Sequence, residues 1–128
     1  IVNELNGNPT HSYSEALYDH KAFLFDKEKS LLVIPISFSY QKSLSEWGYW
    51  QGAYVFTINR EGIFLKKPLS NNENNSEYYD AIRRSLFIDD ALYTYSPSKI
   101  KAYDLKSLDS LSEVKFKNDY EEPIIIAR

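Results

Sequence analysis

Two sets of side chains in this sequence have the chemistry to recognise something. The first is aromatic: Trp47, Tyr49 and Trp50 sit in one mostly polar stretch, and Tyr78 and Tyr79 follow another. Such rings bury much area at low entropic cost and suit flat sugar rings or a protein partner. Trp47 and Trp50 would serve equally well folded back to cap a sheet. The second set is polar: Asp19-His20-Lys21 early in the chain, and Asp80 followed by Arg83-Arg84 later. With His20 and Arg83 on one side, the two would line a mouth for an anionic group, arginine especially. Asp19, His20 and Asp80 are the residues from which a metal site would be assembled there. The structural alternative is ion pairing of Arg84 or Lys21 with Asp26, Asp89 or Glu15.

Catalytic patterns are missing. Neither His11 nor His20 sits in an HExxH spacing, and no GxSxG elbow surrounds Ser14 or Ser85. Glu15 and Asp19 would act together only on a helix. Phosphate loops rich in glycine are also missing, and no cofactor is expected. Asn74-Asn75-Ser76 is a glycosylation sequon in a loop-like stretch, whereas Asn8-Pro9-Thr10 is disqualified by its proline.

Composition narrows the class further. The 128 residues allow one domain with a modest core. A net charge of −3 argues against a general attraction to nucleic acid, so no nucleic-acid partner is expected. No apolar run reaches the roughly 18 residues that a spanning helix needs. Cysteine is absent, which removes disulfides and thiolate chemistry. Ile1 opens the sequence without Met, a basic region or an apolar run, so a fragment of something longer, lacking a signal peptide, is expected.

The elements that must position these residues are strands. Aromatics make up 16% of the chain, eleven of them Tyr, which favours sheet over helix. Ile1–Leu5 is a first strand candidate. Ala22–Phe25 and Leu31–Ser37 flank the charged turn Asp26-Lys27-Glu28-Lys29, a hairpin signature whose nearly continuous apolar runs imply burial on both faces. Phe38–Gln51 reads as a long connection. Gly52–Asn59 and Ile63–Leu69 follow around the turn Arg60-Glu61-Gly62, with Pro68 marking an edge. After the Asn-rich loop Ser70–Tyr79, four more strands are expected at Arg84–Ile88, Ala91–Ser96, Lys99–Leu105 and Ser112–Lys117.

The pattern repeats. His20-Lys21 falls on Arg83-Arg84, Leu24-Phe25-Asp26 on Phe87-Ile88-Asp89, and AYVFTI (Ala53–Ile58) on IKAYDL (Ile100–Leu105). Two antiparallel four-stranded units of roughly 40 to 50 residues each match β-propeller blades, with a two-sheet sandwich or small barrel as the alternative. The segments SYSEALYDHKAFLFDKEKSLLVIPIS, WQGAYVFTI and DAIRRSLFIDDALYTYSPSKIKAYDL resemble prokaryotic, often archaeal, secreted proteins that carry a C-terminal β-propeller domain. The resemblance covers about Ser12 to Leu105. It implies the last two blades of a longer propeller, secreted or at the cell surface, and supplies no catalytic residues.

The expected organisation is therefore all-β within one domain. Residues 1–17 would end a preceding blade and lead in, 18–69 form the first blade, 70–117 the inter-blade loop and second blade, and 118–128 a tail. Short turns would gather on one face, and the long segments Phe38–Gln51 and Ser70–Tyr79 on the other, which is where a rigid scaffold usually carries binding residues. The function expected is a non-catalytic interaction module, secreted or on the cell surface, that binds a protein or glycan through the aromatic face. The alternatives are an exported enzyme with a polar, metal-assisted site around Asp19, His20 and Arg83, or a structural spacer. Two blades cannot close a ring, so self-association through their open faces, or cover from the Ile124–Ile126 tail, is expected.

Overall fold

The computed structural model describes residues 9–70 and 80–116. The described residues are all-β and form two antiparallel sheets. The first contains β1 (Pro9–Tyr13), β2 (Leu24–Asp26), β3 (Leu31–Gln41), β4 (Trp47–Asn59) and β5 (Gly62–Leu69). The second is β6 (Arg84–Ile88), β7 (Ala91–Tyr95), β8 (Lys99–Asp104) and β9 (Ser110–Lys115), paired in simple up-and-down order. The strand candidate Ile1–Leu5, the loop residues Asn74, Tyr78 and Tyr79, and the Ile124–Ile126 tail lie outside the described residues.

Short turns at one end of both sheets are set by side chains that fold back onto the next amides. The Asp26 carboxylate accepts from the Lys29 amide at 3.0 Å, and Ser30 takes a left-handed φ of 54° to re-enter β3. Asn59 Oδ1 accepts from the amides of Glu61 and Gly62, where Gly62 has a φ of 148°. Asp104 Oδ1 accepts from the amides of Lys106 and Ser107. Asp19 does the same for Lys21, capping the short 3-10 turn His20–Ala22.

These contacts make a pH prediction. Asp19, Asp26 and Asp104 are each held below the ordinary carboxylate value of 3.8, first by those backbone N–H donors. On acidification the unfolded chain takes up the protons first, so the contribution is complete above 3.8 and is lost as pH falls through the lowered values. The melting temperature should be level from neutrality to about pH 5 and then fall. An Asp26→Asn, Asp104→Asn double variant should show a shallower acid limb when melts are followed by circular dichroism.

Strand alternation divides the first sheet's apolar residues between its two faces. Leu31, Val33, Ala53 and Val55 point one way and meet Leu92, Tyr103, Leu105 and Leu108 of the second sheet, with Ile82 and Leu69 at the margin. This is the main core, and it lies between the sheets. Burial there pushes the Tyr103 phenol up to about 12. Leu108 reaches its buried place through a left-handed backbone, φ 58°, which few leucines adopt. On the opposite face of the first sheet, Leu32, Phe38, Tyr54 and Phe56 form a second cluster with Ile34, Ile36, Tyr40 and Trp50 packed against it.

The largest departure from expectation concerns Phe38–Gln51. It is a hairpin extension rather than a loop. β3 and β4 stay in register from Leu31↔Thr57 to Gln41↔Trp47, and only Lys42–Glu46 turns. Since β5 pairs with β4 only over Ala53–Asn59, the two long strands project past it as an arm. β1 lines the other side of that arm, pairing Pro9↔Tyr40 through Tyr13↔Ser37. Residues 9–13 thus join the first sheet, where a part of a preceding unit was expected. The register allows the rings to lie flat. A Cβ on Gly48 would stand 2.3 Å from the Tyr40 ring, and one on Gly52 would stand 2.6 Å from the Trp50 ring. Each glycine is thus the floor for an aromatic neighbour.

Candidate functional site

The arm has two faces, and they differ in chemistry. On one, Tyr40, Phe38, Trp50, Tyr54 and Phe56 make a ladder. Phe38 stacks on Trp50 at 5.5 Å between centroids, Trp50 meets Tyr54 at 5.3 Å, and Tyr54 meets Phe56 edge-on at 6.0 Å. These rings pack on one another as a sheet face should.

The other face carries Trp47, Tyr49, Gln41, Ser39 and Ser37, interleaving aromatic and polar residues. The register fixes this membership: Gln41↔Trp47, Ser39↔Tyr49 and Ser37↔Gln51 are cross-strand partners, so their side chains share a side. β1 extends the same side with His11 opposite Ser39 and Tyr13 opposite Ser37. Tyr18, brought back by the 3-10 turn Glu15–Leu17, stacks on Tyr13 at 5.9 Å and 17° between planes. The Ser14 hydroxyl donates to the Pro35 carbonyl at 2.5 Å and holds that turn against β3. Trp47 is 58% exposed, Tyr13 49% and Tyr18 80%. The surface thus combines open aromatic rings with hydroxyl, amide and imidazole groups.

Alternation separates the two tryptophans singled out by sequence. Trp47 is on the open face with Tyr49, while Trp50 is half-buried in the ladder. Tyr78, Tyr79 and Asn74 lie outside the described residues. Sequence reasoning missed His11, Tyr13 and Tyr18. A signal existed in the alternation His11-Ser12-Tyr13, but nothing local shows that this strand docks on β3.

The polar set is dispersed by the fold. His20 and Arg83 are both exposed. His20 lies in a 3-10 turn rather than at the start of a strand, and Arg83 precedes β6 with its amide donating to Tyr95 O at 2.9 Å. Arg84, one residue on, is the residue that reaches across. It forms an ion pair with Asp19, tying the first sheet's lead-in to the second sheet. The Asp80 carboxylate is buried and accepts from the Ser98 amide at 2.8 Å and from the Ser98 hydroxyl. Asp19, His20 and Asp80 therefore do not converge as a donor set. Among the described residues no group of three or more His, Asp or Glu is placed to hold a metal ion. No helix among them is long and apolar enough to cross a membrane.

The family model described as a beta propeller domain matches residues 2–108. A protein of Archaeoglobus fulgidus, described as uncharacterized, is 29% identical over 103 residues, covering 80% of this chain and 13% of that protein. The chain thus spans about an eighth of that relative's length. No solved structure matches.

Proposed function

Because this chain belongs to the beta propeller domain family, we propose that it is a non-catalytic recognition module which binds a glycan through the open face of the arm. The observation behind this is the side-by-side placement of Trp47, Tyr49, Tyr13 and Tyr18 with His11, Ser39 and Gln41. Exposed rings stack on the apolar faces of sugars, and the hydroxyl and amide groups between them bond to sugar hydroxyls. The reading includes a position outside the cell or on its surface, as the sequence resemblance implies. An array of immobilised glycans probed with the purified chain tests it. The chain should bind a discrete set of sugars, and Trp47→Ala should weaken binding about tenfold or more. Retention of full binding by that variant would remove the arm from the account.

A second reading, association with protein, is favoured by the second sheet's outer face. Leu86, Tyr95 and Val114 share that face with Ile88, Tyr93 and Ile100, and Phe116 packs on Tyr95 at 6.2 Å. Leu86, Ile88 and Val114 are 43%, 53% and 63% exposed. Apolar residues gathered this way are the mark of a face that packs on another sheet. The isolated chain should therefore run as a dimer or larger by light scattering at micromolar concentration, and Leu86→Lys should return it to monomer. A monomeric wild-type chain would count against this second reading. The enzyme alternative lacks its constellation, since Asp19 is engaged by Arg84 and Asp80 by Ser98.

A further inference from the structure

We propose that the cleft between the two sheets, at their short-turn end, binds a small, multiply charged oxyanion of the phosphate or sulfate class. The cleft has a volume of about 320 Å³ and is lined by Lys29, Leu31, Thr57, Lys66, Leu105 and Lys106. Three lysines and a threonine line it together with Leu31 and Leu105, and no acidic residue does. In a chain of net charge −3, such local convergence of lysine is not a consequence of composition.

The fold builds this site. A bulge in β5 opposite Val55 and Phe56 inserts Lys66 as an extra residue, so that Lys66 and Lys67 both reach toward the second sheet. Lys66 Nζ donates to the Leu105 carbonyl at 3.3 Å and Lys67 Nζ to that of Leu108 at 3.2 Å. Lys66 is thereby held at the rim with donors to spare. Lys29 is steadied by Asp26 at 3.1 Å and by the Phe87 ring at 5.7 Å. Lys106 stands on the opposite wall. The acid beside it, Asp104, already accepts from the Ser107 amide and hydroxyl and from the Lys106 amide, while attracting the Lys106 ammonium. Asp26 and Asp104 are thus the carboxylates to be overcome, and both are engaged by donors in their own turns. Lysine acts as a point charge toward phosphate-like groups, and two such charges on opposite walls favour a ligand with more than one oxyanion. Leu31 and Gln41 are the two ends of β3, about 33 Å apart at 3.3 Å per residue, so this cleft is independent of the aromatic face.

The test is a titration of the isotope-labelled chain with sodium pyrophosphate at low ionic strength, followed by amide NMR, with sulfate and citrate as parallel arms. Saturable shifts at Lys29, Thr57, Lys66, Leu105 and Lys106, with pyrophosphate or sulfate, are expected. Lys106→Gln removes one of the cleft's charges while keeping the backbone amide that caps Asp104, and should weaken pyrophosphate binding about tenfold. Lys66→Gln should weaken it as much, with ligand-free amide shifts confined to the neighbourhood of Leu105, whose carbonyl loses its donor, while Lys42→Gln on the arm turn should have no effect. Non-saturating shifts scattered over all surface lysines would overturn the proposal. So would wild-type affinity in Lys106→Gln, or saturation by citrate alone.

Discussion

Substituting Gly52 with alanine is expected to destabilise the chain by about 3 kcal/mol, enough to lower its melting temperature by roughly 10 °C. The new Cβ would stand 2.1 Å from the Leu69 carbonyl oxygen, a backbone atom of β5, and 2.6 Å from the Trp50 ring. The ring can swing aside, but the carbonyl cannot move without pulling Leu69 from its pairing with Ala53 and out of the main core. Gly48→Ala provides the contrast. The three atoms nearest its Cβ would all belong to the Tyr40 side chain, at 2.3 to 2.7 Å, and a half-buried side chain near the arm's tip can rotate away. Its cost should be about 1 kcal/mol. Thermal melts of the two variants check the ranking. Equal costs would mean that β5 does not cross β4 so closely.

The second large effect concerns Gln51, which is 1% exposed between the sheets. Its Nε2 donates to the Asp80 carbonyl at 3.2 Å, and its Oε1 accepts from the Ile82 amide at 3.0 Å. Its own carbonyl accepts from the Ser70 hydroxyl at 3.2 Å. One side chain thus satisfies a carbonyl and an amide of the segment that enters the second sheet. Gln51→Leu keeps the volume but strands a buried N–H and a buried C=O, which should cost about 2 to 4 kcal/mol. Denaturant unfolding should show a lower midpoint with an unchanged slope, since the surface exposed on unfolding is the same. A cost under 0.5 kcal/mol would mean that water replaces the amide at this junction.

Much of this architecture could be read from residue order, because strand-forming runs between turn formers are local signals. Arg84–Ile88 is bounded as expected, and the other second-sheet strands shift by only one or two residues at their ends. The extra length of β3 and β4 was not legible. Ser37, Ser39, Gly48 and Gly52 dilute the apolar pattern there, although Phe38-Ser39-Tyr40-Gln41 alternates as a half-buried strand should. Gly48 falls in the stretch read as a connection and Gly52 at the start of the next strand, and their role as floors for Tyr40 and Trp50 is visible only once the strands are paired. The polar set failed for a similar reason. Aligning His20-Lys21 on Arg83-Arg84 matches a capped 3-10 turn to the start of a strand, and a one-residue difference made Arg84 rather than Arg83 the partner of Asp19. The aromatic surface was half legible. Trp47 and Tyr49 were found from composition, but only the docking of β1 adds Tyr13 and His11, and that contact spans distant parts of the chain.

The separation of the two tryptophans carries the functional account, and fluorine NMR of the chain labelled with 5-fluorotryptophan tests it most directly. Trp47→Phe assigns the two resonances. A soluble gadolinium chelate should broaden the Trp47 signal clearly more than that of half-buried Trp50, and addition of an array-positive sugar should move Trp47 alone. Equal broadening of both signals, or a ligand-induced shift at Trp50 with none at Trp47, would contradict the account.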